Sequence, residues 1–226
     1  MELLFDNANL ETLKHFSEIY PYTGVTSNPS IVKQEGKIDF FSHMRRIRDL
    51  IGNRRSLHAQ VVTTDAESII GEAERLVEKT DKNIYVKIPV TEEGLKAIKV
   101  LKARGFNVTA TAIYTKIQGL LAISAGADYI APYFNRIEAR GEDAVEVIST
   151  FRADIDFCKT KTKILSASFH SGEQVIKAIK AGSDCVTLQP NLLKEMLCAD
   201  FIDSAVKKFA EDWKLSQGCD NLLDCE

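Results

Sequence analysis

AGADYI (125–130) and AGSDCV (181–186) carry one device twice, a glycine that stops a helix and leads straight into a short apolar strand. Outward from these two points, short β-branched runs alternate with longer amphipathic segments, the pattern of repeated βα units around a parallel sheet. Strands are predicted at Leu3–Asp6, Gly24–Thr26, Ser56–Val62, Ile84–Pro89, Asn107–Ala112, Tyr129–Pro132, Lys163–Ser168 and Cys185–Leu188. The clearest helices are Asp65–Lys79, Glu92–Arg104, Tyr114–Ala125, Asp143–Lys159 and Ser171–Ala181, where apolar residues recur at three- and four-residue spacing. Thr64 or Asp65, and Thr91, are placed to cap N-termini, while Gly105, Gly126 and Gly182 follow last turns. Eight such units predict an α/β fold, a (β/α)8 TIM barrel. An additional C-terminal helix, Phe201–Leu215, exceeds the barrel's needs and is expected at a subunit contact. The whole of 1–226 is read as one barrel domain, with 200–217 as that helix and 218–226 as a flexible polar tail.

The chain has 226 residues, 45% hydrophobic and 27% charged, enough for a single sizeable core. Its net charge of -3, without a basic stripe interleaved with aromatics, argues against nucleic acid or membrane as partner and favours a small soluble ligand. The start, MELLFDNANL, carries acidic residues and no long apolar run, so a cytoplasmic location is expected. Cys158, Cys185, Cys198, Cys219 and Cys225 lack CxxC spacing and read as reduced thiols, although Cys219 and Cys225 lie in a polar tail where a disulfide stays open. His15, His43, His58 and His170 form no HxH or HExxH pattern, so no metal is expected and the chemistry falls to side chains.

In such a barrel the active site lies at the C-terminal ends of the strands. Asp6 ends the first strand, Thr26 and Asn28 follow the second, Gln60 sits in the third, Lys87 in the fourth and Thr111 in the fifth. Tyr133 and Arg136 follow the sixth strand, and Ser168 and His170 the seventh. Singly, each has a structural explanation: Asp6 as a helix cap, Asn28 as a turn residue, Thr111 as an ordinary strand residue. Their convergence on one end of one barrel favours a site. Lys87 is the sharpest signal. In IYVKIPV (84–90), strand alternation turns Val86 and Ile88 out to the helices and Lys87 inward, where burial disfavours the ammonium and yields an amine able to attack a carbonyl. A lysine that snorkels to the mouth or pairs with Asp6 for stability is the competing explanation.

GVTSNPSIV (24–32), HAQV (58–61), YVKIPVTEEGLKAI (85–98), TAIY (111–114), APYFNRI (131–137) and ASF (167–169) resemble the transaldolase family, most closely its fructose-6-phosphate aldolase branch, in order from Glu2 to about Trp213. The resemblance implies a class I aldolase without metal or cofactor, in which Lys87 forms a Schiff base with the dihydroxyacetone unit of a ketose 6-phosphate. It further implies that Asp6 orients and binds substrate hydroxyls, that Thr26 and Asn28 line the dihydroxyacetone pocket, and that Gln60, Thr111 and Tyr133 surround a catalytic water. Arg136 and Ser168 would hold the distal anion, beside His170, where relatives place Arg or Lys. Similar transaldolases carry Glu and Phe where this chain has Gln60 and Tyr133, which favours the aldolase branch. Members that form rings of subunits imply a homo-oligomer such as a decamer. The alternatives are a transaldolase that passes the three-carbon unit to an acceptor aldehyde, from a sugar phosphate or a 6-sulfonated ketose; a barrel isomerase, for which only Asp6 qualifies as carboxylate base; and a noncatalytic sugar-phosphate sensor.

Overall fold

Every strand of a closed parallel barrel is covered on both faces, by helices outside and by neighbouring side chains inside. The eight strands of the computed structural model, which describes residues 1–197 and 200–224, meet that demand. They are β1 (Glu2–Asp6), β2 (Gly24–Thr26), β3 (Ser56–Gln60), β4 (Tyr85–Pro89), β5 (Val108–Ile113), β6 (Tyr129–Pro132), β7 (Lys163–Ser166) and β8 (Cys185–Leu188). All pair in parallel and in sequence order, and β1 pairs with β8 to close the barrel. Around them run α1 (Leu10–Ser17), α2 (Pro29–Val32), α3 (Phe40–Ile51), α4 (Ala66–Lys79), α5 (Glu92–Ala103), α6 (Lys116–Ser124), α7 (Phe134–Ala139), α8 (Ala144–Cys158) and α9 (Gly172–Lys180). The chain forms two compact units, Met1–Pro190, which holds the barrel, and Asn191–Glu226. The second contains most of α10 (Pro190–Leu197) and all of α11 (Asp200–Gln217). Among the described residues no helix is long and apolar enough to cross a membrane.

Helix starts follow the anticipated caps. Asp65, not Thr64, caps α4 by accepting from Ser68 N at 2.9 Å, and Thr91 caps α5 by accepting from Gly94 N at 3.0 Å. Gly126 and Gly182 take φ of 84° and 106° after α6 and α9, a left-handed conformation that costs other residues strain. Two strands are shorter than the sequence suggests. Beyond Gln60 the carboxylate of Glu72 takes the N–H groups of Val62 (2.7 Å) and Thr63 (3.2 Å), so the backbone leaves the ladder. Beyond Ser166 only an isolated bridge joins Ala167 to Tyr133, and Ser168 turns the chain at φ 62°. Cys158 and Cys185 are free thiols, as expected, whereas Cys219 is disulfide-bonded, the alternative left open for the polar tail. Cys198 and Cys225 lie outside the described residues.

The acidic residue of the repeated segments has a structural role that periodicity does not reveal. Asp128 accepts from Val108 N at the start of β5 (2.8 Å) and pairs with Lys102 (2.6 Å). Asp184 accepts from Ile164 N at the start of β7 (2.8 Å) and pairs with Arg152 (3.0 Å). Each carboxylate therefore ties the base of the preceding strand to a neighbouring helix. Glu2 and Lys163 close the same end with a 2.5 Å ion pair. Replacing Asp184 by Ala leaves a strand N–H unmatched and Arg152 with only its exposed partner Asp156 at 2.8 Å, and is expected to cost about 2 kcal/mol in urea unfolding, with Asn costing less because its amide oxygen still accepts. Equal stability of all three proteins would refute this role.

Candidate active site

Strand alternation puts Lys87 inside the barrel: Val86 and Ile88 are fully buried against the helices, and Lys87 itself is only 3% exposed. Below it the interior is filled. The ring of His58 stacks on Tyr85 (4.7 Å between centroids, 15° between planes) and meets Tyr129 edge-on, while Leu4, Leu165 and Cys185 pack around Tyr129. Burial and the charges of Lys87 and Arg48 hold the His58 imidazole neutral, far below its usual range, and its Nδ1 meets Thr109 Oγ1 at 2.8 Å. The amine thus has access only toward the C-terminal mouth.

That mouth is a cavity of about 670 Å³ lined by Asp6, Asn28, Gln60, Lys87, Tyr133, Arg136 and Ser168, seven of the residues expected from the sequence. Strand register assembles them. Gln60 pairs with Lys87 across β3 and β4, and Asp6 with Thr26 across β1 and β2. Thr26 stands behind the wall, donating to Asp6 Oδ1 at 2.6 Å. Thr111 is also fully buried behind it and donates to the Tyr133 hydroxyl at 3.1 Å. Asn28 caps α2, its Oδ1 accepting from Ser30 N and Ile31 N, which leaves its NH2 as a donor. The Oε1 of Gln60 is buried without a partner among the described residues. His170 is not among the residues lining the cavity. It is exposed, with its backbone N bonded to Gln174 and its ring at 3.4 Å from the Asn135 amide.

Desolvation pushes the Lys87 ammonium below its ordinary range, and the Asp6 carboxylate works against that shift. Desolvation likewise raises Asp6, opposed by Lys87 and by the Thr26 hydroxyl. The two interact through charge, with no hydrogen bond between them, so the amine keeps its lone pair free for an electrophile. Burial raises the Tyr133 phenol, which stays protonated near neutral pH. Ala112 (φ 55°) and Ser168 (φ 62°), both non-glycine residues in the left-handed region, also line the mouth, the former at the register shift between β5 and β6.

This polar mouth around a buried amine has relatives. A family model described as transaldolase/fructose-6-phosphate aldolase matches residues 3–218. The chain belongs to the transaldolase/fructose-6-phosphate aldolase family. It is also 45% identical, over 96% of its length and 98% of the relative's, to a protein of Streptococcus pneumoniae (strain ATCC 700669 / Spain 23F-1) described as "Probable fructose-6-phosphate aldolase". The chain is therefore an enzyme of the aldolase/transaldolase type.

This family member carries mouth residues that sequence reasoning missed: Ser30, Tyr114 and Arg140. Arg140 lies four residues beyond Arg136, one helical turn on, a signal visible only once α7 is recognised as a helix. The charge balance at Lys87 has a testable sign. Asp6→Asn removes the anion that favours the ammonium, so the Lys87 pKa falls further and the amine persists to lower pH. Reductive alkylation of Lys87 by a small aldehyde and cyanoborohydride, followed by mass spectrometry against pH, is expected to show its acid limb displaced downward in the variant; an upward displacement would contradict the assignment.

Proposed function

We propose that this chain is a class I aldolase that cleaves or forms the C3–C4 bond of fructose 6-phosphate, yielding dihydroxyacetone and glyceraldehyde 3-phosphate without metal or cofactor. The observation that carries this reading is the buried Lys87, with its depressed pKa and free lone pair, at the floor of a mouth rich in hydrogen-bonding groups. The name of the Streptococcus relative supports the choice of substrate.

Lys87 Nζ attacks C2, and loss of water gives an imine that, protonated, is an electron sink. The raised basicity of Asp6 suits it to accept the C4 hydroxyl proton as the C3–C4 electron pair moves toward the imine. The aldehyde leaves and an enamine remains on Lys87. A water held between Gln60 and the Thr111–Tyr133 pair delivers a proton to C3, and hydrolysis of the imine frees dihydroxyacetone and the lysine. A hydroxyl at position 133 favours this release; an apolar ring there would protect the enamine for transfer to a second aldehyde. Thr26 and Asn28 serve the dihydroxyacetone end, and Arg136 with Ser168 the phosphate. The charge of phosphorylated sugars keeps them within the cell, which agrees with a cytoplasmic enzyme.

Incubation with fructose 6-phosphate is expected to release dihydroxyacetone without an acceptor, and borohydride to fix a three-carbon adduct on Lys87, with both signals lost in Lys87→Met. Turnover by Lys87→Met at near the parent rate would sink the mechanism, and product formation only with an added acceptor aldehyde would make the reaction a transaldolase transfer. A homo-oligomer is the further expectation, supported by exposed Phe201, Val206 and Phe209 along α11. Removal of residues 200–226 is expected to lower the mass measured by light scattering, and an unchanged mass would count against assembly through this helix.

A further inference from the structure

We propose that Arg140 is a second specificity-determining residue for the distal phosphate, acting with Arg136 so that the mouth selects phosphorylated ketoses and aldehydes over their neutral counterparts. Both arginines line the cavity that contains Lys87. They are four residues apart at the end of α7, a spacing that puts side chains on the same helical face. The helix is itself fixed to the rim: Phe134 N donates to Ala167 O at 2.8 Å and Asn135 N to Ser168 O at 3.0 Å, which brings the arginine face alongside the Ser168 corner. Gly141, at φ 80°, ends the turn directly after Arg140.

Little neutralises this pair. Arg136 has no ion pair among the described residues, and Arg140 has only Glu142 at 3.9 Å, with the arginine side chain more than half exposed. The remaining carboxylate of the helix, Glu138, is turned to α9, where it accepts from Gln174 Nε2 at 2.6 Å. The His170 ring lies near Asn135, outside the set of residues that line the cavity. A phosphate monoester, with a second pKa of about 6, is mainly a dianion at neutral pH. Two permanently charged guanidinium groups match it in charge and donor geometry, which one arginine and a serine do not.

This inference rests on the aldolase reading, and the experiment separates the two. In Arg140→Met, KM for fructose 6-phosphate is expected to rise about tenfold with kcat within about twofold, while kinetics with dihydroxyacetone and unphosphorylated glyceraldehyde stay unchanged. Arg140→Lys, which keeps the charge but not the planar fork, is expected to recover part of the loss. An unchanged KM for fructose 6-phosphate in Arg140→Met, or an equal rise for the unphosphorylated substrates, would overturn the proposal. If the parent protein does not turn over fructose 6-phosphate at all, the aldolase reading fails by itself. Calorimetric titration with inorganic phosphate then decides the anion site: weaker binding by Arg140→Met supports it, and equal binding by the two proteins refutes it.

Discussion

A lysine inside a closed parallel barrel must lose its proton, find an anion, or reach water, and much of this structure is arranged around how Lys87 meets that constraint. The strands on either side carry Gln60 and Thr109 in register with it, neutral groups that offer no countercharge. Among the described residues the carboxylate that acts on it is Asp6, through charge without a hydrogen bond. A contact ion pair would hold the ammonium form and occupy the nitrogen, whereas an anion across the mouth tempers the cost of burial and leaves the nitrogen free. The packed aromatic floor beneath, with His58 kept neutral, confines access to one direction.

The two ends of the barrel divide the work. At the base, Asp128, Asp184 and the Glu2–Lys163 pair tie strand starts to helices and to each other, and ordinary hydrogen-bond energetics describe their contribution. At the mouth, the backbone departs from regularity. Ala112 and Ser168 sit in left-handed conformations, and both β3 and β7 end early. These departures aim the chain at the cavity in place of extending the sheet, and they occur on the side where the polar groups gather. Lys87 and the Asp6 carboxylate line that cavity together with Arg136 and Arg140, which have little neutralising charge of their own, a composition that suits a substrate with both a reactive carbonyl and an anionic group.

The sequence by itself determined the strand order, the barrel and the inward lysine, because all three follow from local periodicity: two-residue alternation around Lys87, three- and four-residue spacing in α4, α5 and α8, and glycine stops at Gly126 and Gly182. It also named seven of the residues that line the mouth, since the ends of strands can be counted along the chain. What only the tertiary structure decided depends on groups distant in sequence. The end of β3 is set by Glu72, ten residues beyond Val62, and the acid of AGSDCV is explained by a strand N–H twenty residues away. His170, close to Ser168 in sequence, has its ring at 3.4 Å from the Asn135 amide and does not line the cavity, while Arg140 enters the mouth because six residues after β6 form a short helix too brief to leave a periodic trace. Periodicity reports which face of an element is apolar; which polar side chains on that element reach a common space is fixed by how its ends are anchored to its neighbours.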